Sequence, residues 1–297
     1  MQAIGIDIGG TNIKGVLING DGTMLHEMQC KTNEKEANWW KSAATDMLHR
    51  LREKATDKNI PVGLSAPGLA NHNNDCIKLM PGRLKGLENF IWTDYLKTPT
   101  WVLNDAHAAL MAEAKFGTGK GYRHIVLLTL GTGVGGGIMI NGVLHQGLLN
   151  RAGHLGHVTL HADSDICDVT NMPASLEDAI GDCTIERRSF GKFTSTYNLV
   201  QAYKAGDTVA VYVWLQAVKR LAVALCSFIN TISPEIIILG GGIAQAGDDL
   251  FKPLNSFMNI FEWSHSDIRI PVVQALFDEY SGAVGAAGFA LHKTLRH

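Results

Sequence analysis

The chain has 297 residues, 46% of them hydrophobic, so it is long enough for two domains and apolar enough to give each a substantial core. This composition excludes disordered and fibrous proteins. The net charge is −2 and no run of basic residues occurs, which argues against binding of nucleic acid or anionic lipid. Glycine is in excess, with 32 residues, and predicts many tight backbone turns.

The start of the chain and its cysteines indicate the compartment. Residues 1–7 lack the basic segment of a signal peptide and carry an acid, Asp7, in the first apolar stretch. The apolar segment 126–140 is interrupted by glycine and threonine and is shorter than the ~18 residues of a membrane span. The five cysteines are odd in number and widely spaced, which favours reduced thiols. We therefore expect a cytoplasmic protein with no membrane partner.

The first hairpin pattern of the chain is repeated in its second half. In both places an apolar strand, a turn rich in glycine and threonine, and a second apolar strand are followed by Asn-Gly, a strong hairpin signal. A shift of 122 positions superimposes five identical residues, placing Gly9, Gly15, Ile18, Asn19 and Gly20 on Gly131, Gly137, Ile140, Asn141 and Gly142. The repeat predicts two structurally related halves.

Strands and helices alternate in the remainder of each half. Helical spacing and capping residues predict helices at 36–54, at 106–116 and from Asp207 toward Ile232. Apolar strands that end in glycine are predicted at 61–68 and 236–242. This order predicts an α/β fold with one mixed sheet per half and a central cleft between the halves. We place the domains at 1–117 and 118–282, and the C-terminal helix 283–297 is a candidate to join the first domain.

The first glycine turn is a candidate phosphate site. A tight hairpin without side chains at its tip, here Gly9 and Gly10, leaves backbone N–H groups free to bind an anion. Asp7 supplies an acid for a hydrated Mg²⁺ beside a phosphate. Further donors and a positive charge come from Thr11, Asn12 and Lys14. An ordinary hairpin explains the same residues, because glycine turns are common.

Two later glycine segments strengthen the phosphate interpretation. The turn at Gly131, Thr132 and Gly133 offers a second nest, so two turns facing one cleft can hold a polyphosphate from both sides. The third segment has no bulky side chain, which lets a flat nucleobase approach the backbone. It consists of Gly240, Gly241 and Gly242. A plain strand-to-helix turn accounts for this third segment equally well.

The ordered set of motifs resembles the ROK family of sugar kinases and related repressors. The resemblance spans nearly the whole chain and rests on residues 7–11 (Asp-Ile-Gly-Gly-Thr), 103–106 (Leu-Asn-Asp-Ala), 131–137, 156–157 (Gly-His), 238–242 (Ile-Leu-Gly-Gly-Gly) and 282–287. Each piece is weak alone, but the order is specific. The resemblance implies an actin-like ATPase (ribonuclease H-like) fold, ATP with Mg²⁺, phosphorylation of a sugar hydroxyl and usually a homodimer.

The resemblance gives Asp105 the central chemical role. On the residues alone, Asn104 and Asp105 precede a helix and are good helix-capping residues. The resemblance implies instead that Asp105 accepts the proton of the sugar hydroxyl as its oxygen attacks the γ-phosphate. It places Asn104, and with it Gly68, on the sugar. Phosphoryl transfer requires mainly positioning and charge neutralisation, so one acid with Mg²⁺ and glycine nests is a sufficient set.

The stretch after residue 150 departs from the family. The family pattern Glu-x-Gly-His reads His-Leu-Gly-His at 154–157, which puts the identity of the sugar in doubt. Three family cysteines that with the histidine hold zinc are reduced to Cys167, out of register, so we expect no structural zinc site. An alternative metal set is His154, His157, His161 and Cys167. We expect the sugar to contact His154, His157 and Glu177.

Three classes of function can be weighed. We expect an ATP-dependent, glucokinase-like kinase of a hexose or hexose derivative. The alternative is a catalytically inactive sugar-binding relative that acts through partner contacts. Retention of Asp105 favours the enzyme, because a sensor has little need for a base aimed at the transferred phosphate. A chaperone-like or actin-like ATPase shares the two hairpins but does not require His157 and Glu177.

Nucleic acid is not an expected partner. The repressors of the family carry a DNA-binding segment ahead of the first hairpin, and the position of Asp7 leaves no room for one. The expected partners are a small-molecule sugar and a second copy of the chain. The particular sugar and the hydroxyl that is phosphorylated are left open.

Overall fold

A computed structural model describes residues 1–33, 36, 38–57, 59–80, 82, 84–168, 170–263 and 268–295. The chain forms two compact units. Unit 1 comprises Met1–Gly121, Leu144–Ala152 and Leu276–His297, and unit 2 comprises Tyr122–Val143 and Gly153–Ala275. The division at 1–117 and 118–282 stays a prediction. Ala37 in the predicted helix 36–54, and Arg296 and His297 in the predicted helix 283–297, lie outside the described residues.

Strands and helices follow one another in an α/β order. The strands are β1 (Gln2–Ile8), β2 (Asn12–Asn19), β3 (Met24–Lys31), β4 (Val62–Ala66), β5 (Leu69–Ala70), β6 (Ile77–Leu79), β7 (Thr100–Asn104), β8 (Ile125–Leu130), β9 (Val134–Ile140), β10 (Val143–Leu144), β11 (Ile236–Gly240) and β12 (Val272–Gln274). The helices are α1 (Trp39–Lys54), α2 (Trp92–Leu96), α3 (Asp105–Phe116), α4 (Leu176–Ile180), α5 (Ile185–Arg188), α6 (Thr196–Lys204), α7 (Thr208–Ile232), α8 (Asp248–Phe261) and α9 (Ser281–Thr294).

Unit 1 is built on a five-stranded sheet with the order β3-β2-β1-β4-β7. The strands β1, β2 and β3 pair antiparallel, whereas β4 and β7 run parallel to β1. The carboxyl ends of β1, β4 and β7 therefore meet at one edge of the sheet. Alternate residues of β1 (Ile4, Ile6 and Ile8) share a buried core with α1.

Helix α9 packs against the opposite residues of the same sheet. A Cβ added at Gly5 in β1 or at Gly63 in β4 would collide with backbone carbonyls of α9. Gly285 in α9 allows the same close approach to α3. The run of small residues in α9 thus lets its backbone lie directly on β1 and β4, where larger side chains would hold it away.

Unit 2 repeats the hairpin and the crossover arrangement. Its sheet has the order β10-β9-β8-β11-β12, with β8 and β9 antiparallel and β8, β11 and β12 parallel. Helix α7 supplies much of the core, and the Asp207 side chain caps it by accepting the N–H of Ala210. Among the described residues α7 is also the helix whose length and apolar composition would suffice to cross a membrane, but over half of its most apolar window is buried. Burial in a domain core explains that composition.

The structure confirms the α/β fold and the main elements predicted from the sequence. Both glycine hairpins form, as β1–β2 and β8–β9. Helix α3 ends at Phe116, before Gly117, and α7 runs to Ile232. The predicted helix 36–54 is observed at Trp39–Lys54, after Asn38 adopts a left-handed backbone conformation.

A buried carboxylate ties together two segments of unit 1. Glu113 in α3 is fully buried and accepts hydrogen bonds from the Thr118 N–H (2.9 Å), the Thr118 hydroxyl (3.0 Å) and the Phe277 N–H (2.7 Å). The two segments lie near the points where the chain first leaves unit 1, after Gly121, and where it finally returns, at Leu276. Glu113 therefore binds the segment that leaves unit 1 and the segment that returns to it to one helix, α3.

We predict that Glu113→Ala lowers the free energy of unfolding by on the order of 3 kcal/mol, because three donors lose a buried acceptor. Thermal and urea denaturation measure the change. Glu27→Ala, at an exposed position of β3, is the control and is expected to change stability by less than about 0.5 kcal/mol. Equal stability of the two variants would contradict this assignment.

Candidate active site

Three polar side chains of unit 1 lie at the shared carboxyl edge of its parallel strands. Asp7 is the next-to-last residue of β1, Ser65 lies beside it in β4, and Asp105 follows β7 directly. The Ser65 hydroxyl donates a hydrogen bond to Asp7 Oδ1 at 2.7 Å. The carboxyl edge of parallel strands is where α/β proteins place their ligands. The structure thus brings the predicted Mg²⁺ acid and the predicted base to one edge, and it adds Ser65, which sequence reasoning missed.

The Asp7 carboxyl group has a raised pKa, and a nearby cation would favour its ionised form. Burial raises its pKa from 3.8 to about 6; the Ser65 hydrogen bond opposes the rise, the negative charge of Asp105 adds to it, and the charge of Lys14 opposes it. A Cβ at Gly282, in the first turn of α9, would collide with the Asp7 carboxyl group. Glycine at this position makes room for the acid beside the helix.

Asn104 and Asp105 form the junction between β7 and α3. The Asn104 side-chain oxygen accepts the N–H groups of Ala106 (2.9 Å) and His107 (3.2 Å), so Asn104 caps the helix. Its amide nitrogen donates to the carbonyl of Gly68 at 2.9 Å. Asp105 accepts the Ala106 N–H at 2.8 Å. The capping interpretation of Asn104 is confirmed, and this cap fixes the backbone that carries Asp105.

Gly68 holds a conformation that other residues rarely adopt. Its φ is +99°, and an added Cβ would contact the Leu79 carbonyl and the Met80 side chain. The requirement for glycine is therefore steric, and the Gly68 carbonyl serves as the acceptor that orients Asn104. Its predicted role on the sugar stays a prediction.

The first glycine turn is a well-formed hairpin. The Gly9 N–H donates to the Asn12 carbonyl at 3.0 Å, and the Thr32 hydroxyl donates to the Gly9 carbonyl at 2.6 Å. Gly10 and Thr11 form the tip between β1 and β2. Lys14 donates to the carboxylate of Glu279 at 2.8 Å and to its carbonyl at 3.0 Å. The lysine predicted to face a phosphate therefore has an acidic partner in unit 1.

The second glycine turn is fixed by a segment that the sequence did not link to it. The carbonyls of Gly131 and Thr132 accept the N–H groups of Asp182 and Cys183, both at 2.9 Å. Glu177 Oε2 accepts the Val134 N–H at 2.9 Å, and a Cβ at Gly133 would collide with that carboxylate. Glu177, which we predicted to contact the sugar, thus packs against the base of the second glycine turn.

A cavity of about 500 Å³ opens in unit 2 beside this turn. Gly131 and Thr132 line it on one side and Gly242 on another, so three of the predicted nucleotide residues meet there. Gly241 has φ +84° and no room for a Cβ against Leu130. The other lining residues are Asp182, Ser195, Thr196, Tyr197, Val200, Gln201, Lys204, Ile243, Gln245 and Ala246. No motif in the sequence marks the α6 part of this wall, because it has no glycine or charge pattern.

The histidines of the 154–157 stretch differ in their surroundings. The rings of His154 and His157 are parallel within 7°, with centroids 6.4 Å apart. A nitrogen of His157 and carboxylate oxygens of Asp168 and Glu177 lie within 4.8 Å of one another. In the described part of the chain, no three members of the alternative zinc set (His154, His157, His161 and Cys167) come together within that distance. All five cysteines are free.

The two units share an architecture that defines a class of protein. Each carries a mixed five-stranded sheet that begins with a glycine hairpin, and this is the actin-like ATPase fold of nucleotide-dependent phosphotransferases. Unit 1 presents acids at its strand ends, and unit 2 presents a glycine-lined cavity.

Comparison with known proteins identifies the family. The ROK family matches residues 3–293, and the chain belongs to this family. It is 31% identical to a glucokinase of Thermotoga maritima, over 97% of this chain and 96% of that protein. A ROK hexokinase from Thermus thermophilus superimposes with a TM-score of 0.85 at 25% identity, covering 100% of both chains. A ROK glucokinase from Streptomyces griseus in complex with glucose and AMPPNP gives a TM-score of 0.81 at 24% identity, over 98% of this chain and 100% of that one.

We predict that Asp7→Asn stabilises the ligand-free protein much more at pH 8 than at pH 4. Because the folded pKa of about 6 lies above the ordinary 3.8, the presence of Asp7 costs stability progressively as the pH rises from 3.8 to 6, the cost is complete above pH 6, and only a small part of it remains at pH 4. The gain at pH 8 is at most about 3 kcal/mol. Thermal denaturation at both pH values measures it, with exposed Asp46→Asn as the control. A gain of equal size at pH 4 would refute this interpretation.

We also predict that the purified protein contains far less than one zinc per chain and melts at the same temperature with and without a chelator. The cluster around His157 contains no cysteine, and the oxygens of Asp168 already accept hydrogen bonds from protein groups. Elemental analysis near one zinc per chain would contradict the prediction.

Proposed function

We propose that this ROK protein is an ATP-dependent kinase that phosphorylates a hydroxyl of a hexose or hexose derivative, with Asp105 as general base. The observation that carries the proposal is the placement of Asp105 next to Asp7 at the carboxyl edge of the unit 1 sheet. A base and a cation-binding acid are the two acidic functions that phosphoryl transfer to a hydroxyl requires. The similarity to the Thermotoga maritima glucokinase over nearly the whole chain supports the same reaction.

Asp105 is suited to accept a proton. It lies in the first turn of α3, where the helix dipole favours the ionised carboxylate. As the sugar oxygen bonds to the γ-phosphorus of ATP, its proton passes to Asp105 and the bond from phosphorus to the β–γ bridging oxygen breaks, releasing ADP. The Asn104 side chain caps the start of α3 by accepting two backbone N–H groups, so the base is positioned by a helix cap.

The nucleotide is assigned to the glycine segments and the cavity of unit 2. Five of the six residues in Gly131–Gly133 and Gly240–Gly242 are glycines and the sixth is Thr132, so phosphates or a base can approach this backbone closely. In unit 1, the hairpin tip at Gly9, Gly10, Thr11 and Asn12 is the second phosphate-binding turn. Lys14, paired with Glu279, acts on this turn mainly through its charge.

Magnesium fits the acids of unit 1. Oxygen ligands are what Mg²⁺ prefers, and the raised pKa of Asp7 beside Asp105 marks two carboxyl groups whose joint ionisation a cation would favour. Asp7 would hold the ion through water, and the ion would neutralise charge on the ATP phosphates.

We assign the sugar to Asn104 and to three residues of the segment 154–177. Asn104 has one amide hydrogen left after its bond to Gly68, and this hydrogen can be donated to a sugar oxygen. Glu177 has one buried oxygen without a hydrogen-bond partner, a natural acceptor for a sugar hydroxyl. His154 and His157 complete the proposed set, and His154 stands where the resemblance to the family predicts a glutamate.

The remaining parts of the proposal concern the setting of the enzyme. A cytoplasmic location is supported by five free cysteines and by the use of ATP. We assign a homodimer and no nucleic-acid partner, the latter because the net charge is −2 without a basic run. A catalytically inactive sugar-binding relative is the less favoured function, since it would not require Asp105 and Asp7 together.

We predict that Asp105→Asn lowers sugar-dependent ADP release by about 10²-fold or more, the magnitude of a lost general base. Binding of AMPPNP and the melting temperature should stay close to the unaltered values, because the amide can still accept the Ala106 N–H. The measurement is kcat over a panel of hexoses and amino sugars. Asp94→Asn, in the first turn of α2, is the matched control and should retain activity. Near-normal turnover of Asp105→Asn would overturn the role of this residue.

A further inference from the structure

A buried carboxylate organises the irregular chain between residue 157 and α4. The Asp168 side chain is fully inaccessible to solvent. Its Oδ1 accepts the N–H (2.8 Å) and the hydroxyl (2.7 Å) of Thr170 and the N–H of Met172 (3.0 Å). Its Oδ2 accepts the hydroxyl of Ser175 at 2.6 Å, and Ser175 in turn caps α4 by accepting the Asp178 N–H at 3.0 Å. Two hydroxyl groups therefore point their only protons at one carboxylate.

Asp168 is ionised, which fixes the direction of these hydrogen bonds. Burial alone would raise its pKa, but the hydrogen bonds from Ser175, Thr170 and Met172 outweigh burial and hold the pKa below its ordinary value. An ionised carboxylate only accepts hydrogen bonds. The Thr170 hydroxyl must therefore donate to Asp168 and has only lone pairs to offer to any other neighbour.

That other neighbour is His157. Its Nδ1 lies 3.3 Å from the Thr170 hydroxyl oxygen and 3.6 Å from Asp168 Oδ2. Because both oxygens act as acceptors toward the ring, Nδ1 must carry a proton. A neutral imidazole has one proton, so the opposite nitrogen, Nε2, is then an acceptor.

We propose that Asp168 and Thr170 are positioning residues that hold His157 as its Nδ1–H tautomer, so that Nε2 accepts a hydrogen bond from a sugar hydroxyl. The inference rests on the proposed function for the identity of the ligand, but the tautomer itself follows from contacts within the protein. Neither residue touches the sugar in this scheme. Both act through the ring of His157.

The consequence is a sugar-recognition pair made only of acceptors. Glu177 Oε2 is used by the Val134 N–H, and its Oε1 is buried without a hydrogen-bond partner. A nitrogen of His157 and an oxygen of Glu177 lie within 4.8 Å of each other. In this scheme the ligand offers one donor to each of the two acceptors, as two free hydroxyl groups of one sugar do. A fluorine or an ether oxygen in place of either hydroxyl leaves a buried acceptor unpaired, which a polar site penalises strongly.

The tautomer can be measured directly in the full-length protein. Two-bond proton–nitrogen correlation spectra of ¹⁵N-labelled protein at pH 8 distinguish a ring protonated at Nδ1 from one protonated at Nε2. Comparison with His157→Gln assigns the His157 signals among those of 12 histidines. We expect the Nδ1–H pattern in the absence of any ligand. An Nε2–H pattern would overturn the proposal.

Substitutions at the positioning residues separate this role from a general effect on folding. In Asp168→Asn the amide oxygen remains with the two backbone N–H groups at Oδ1, so the NH₂ group faces Ser175 and His157. A neutral amide oxygen no longer compels the Thr170 hydroxyl to donate to it, so this hydroxyl, 3.3 Å from Nδ1, can donate its proton to that nitrogen, and the NH₂ group is a second donor on the same side of the ring. We expect the tautomer to invert to Nε2–H. Thr170→Val, which removes the intervening hydroxyl, should reduce the Nδ1–H population if Asp168→Asn does not fold. Thr170→Ser is the matched control and should restore the original pattern.

Turnover tests the consequence for the sugar. We expect the unaltered enzyme to prefer the parent hexose over at least one monodeoxyfluoro analogue by tenfold or more in kcat/KM, and Asp168→Asn to lose most of that preference while Thr170→Ser keeps it. An unchanged preference in an Asp168→Asn protein whose tautomer has inverted would overturn the proposal. If no sugar is phosphorylated while the Nδ1–H pattern is present, the proposed function fails and the tautomer assignment stands. Stoichiometric binding of added Zn²⁺ at His157 Nδ1 would also overturn it.

Discussion

The direct contact of α9 with β1 and β4 is the constraint on which the arrangement of unit 1 depends. Glycines at positions 5 and 63 in the strands let the helix backbone lie on the sheet, and Gly285 lets α3 lie against the helix. With α9 at this depth, Gly282 accommodates the Asp7 carboxyl group. One helix of small residues thereby sets the surroundings of the acid that we assign to Mg²⁺, and it does so through backbone geometry rather than through side-chain packing.

Buried carboxylates perform the remaining organisation, each in a different way. Glu113 links the segments at which the chain first leaves and finally re-enters unit 1. Glu177 fixes the second glycine turn by accepting the Val134 N–H. Asp168 accepts hydrogen bonds from several groups of an irregular segment and so orders it. An ionised carboxylate buried without donors would be unstable, so each acid is stable only with the hydrogen bonds that also order its surroundings. Asp7 is the exception. Burial and Asp105 raise its pKa, and the cost is consistent with a group held ready for a cation.

The sequence was sufficient for the elements with strong local signals. The hairpins, the end of α3 before Gly117 and the cap of α7 at Asp207 were all predicted, because glycine turns, helix caps and apolar periodicity act over a few residues. Two contacts could not be predicted because they join residues far apart in the sequence. The hydrogen bond from Ser65 to Asp7 spans 58 positions and depends on sheet pairing. The hydrogen bond from the Val134 N–H to Glu177 spans 43 positions and depends on an irregular loop. The departure from the family cysteine pattern stays a prediction from the sequence, whereas the hydrogen bonds of Asp168 could not be predicted from it at all.

A carboxylate in this segment has a different consequence from the metal site that the family resemblance led us to consider. A metal ion bound at His157 Nδ1 would take the lone pair of that nitrogen and leave the ring proton on Nε2, making the histidine a donor toward a ligand. A carboxylate acting through the Thr170 hydroxyl requires the proton on Nδ1 and makes the same ring an acceptor. Two ways of stabilising one loop thus present opposite hydrogen-bonding groups to the sugar. In our proposal, sugar preference therefore depends on Asp168 and Thr170 as much as on the residues that contact the substrate.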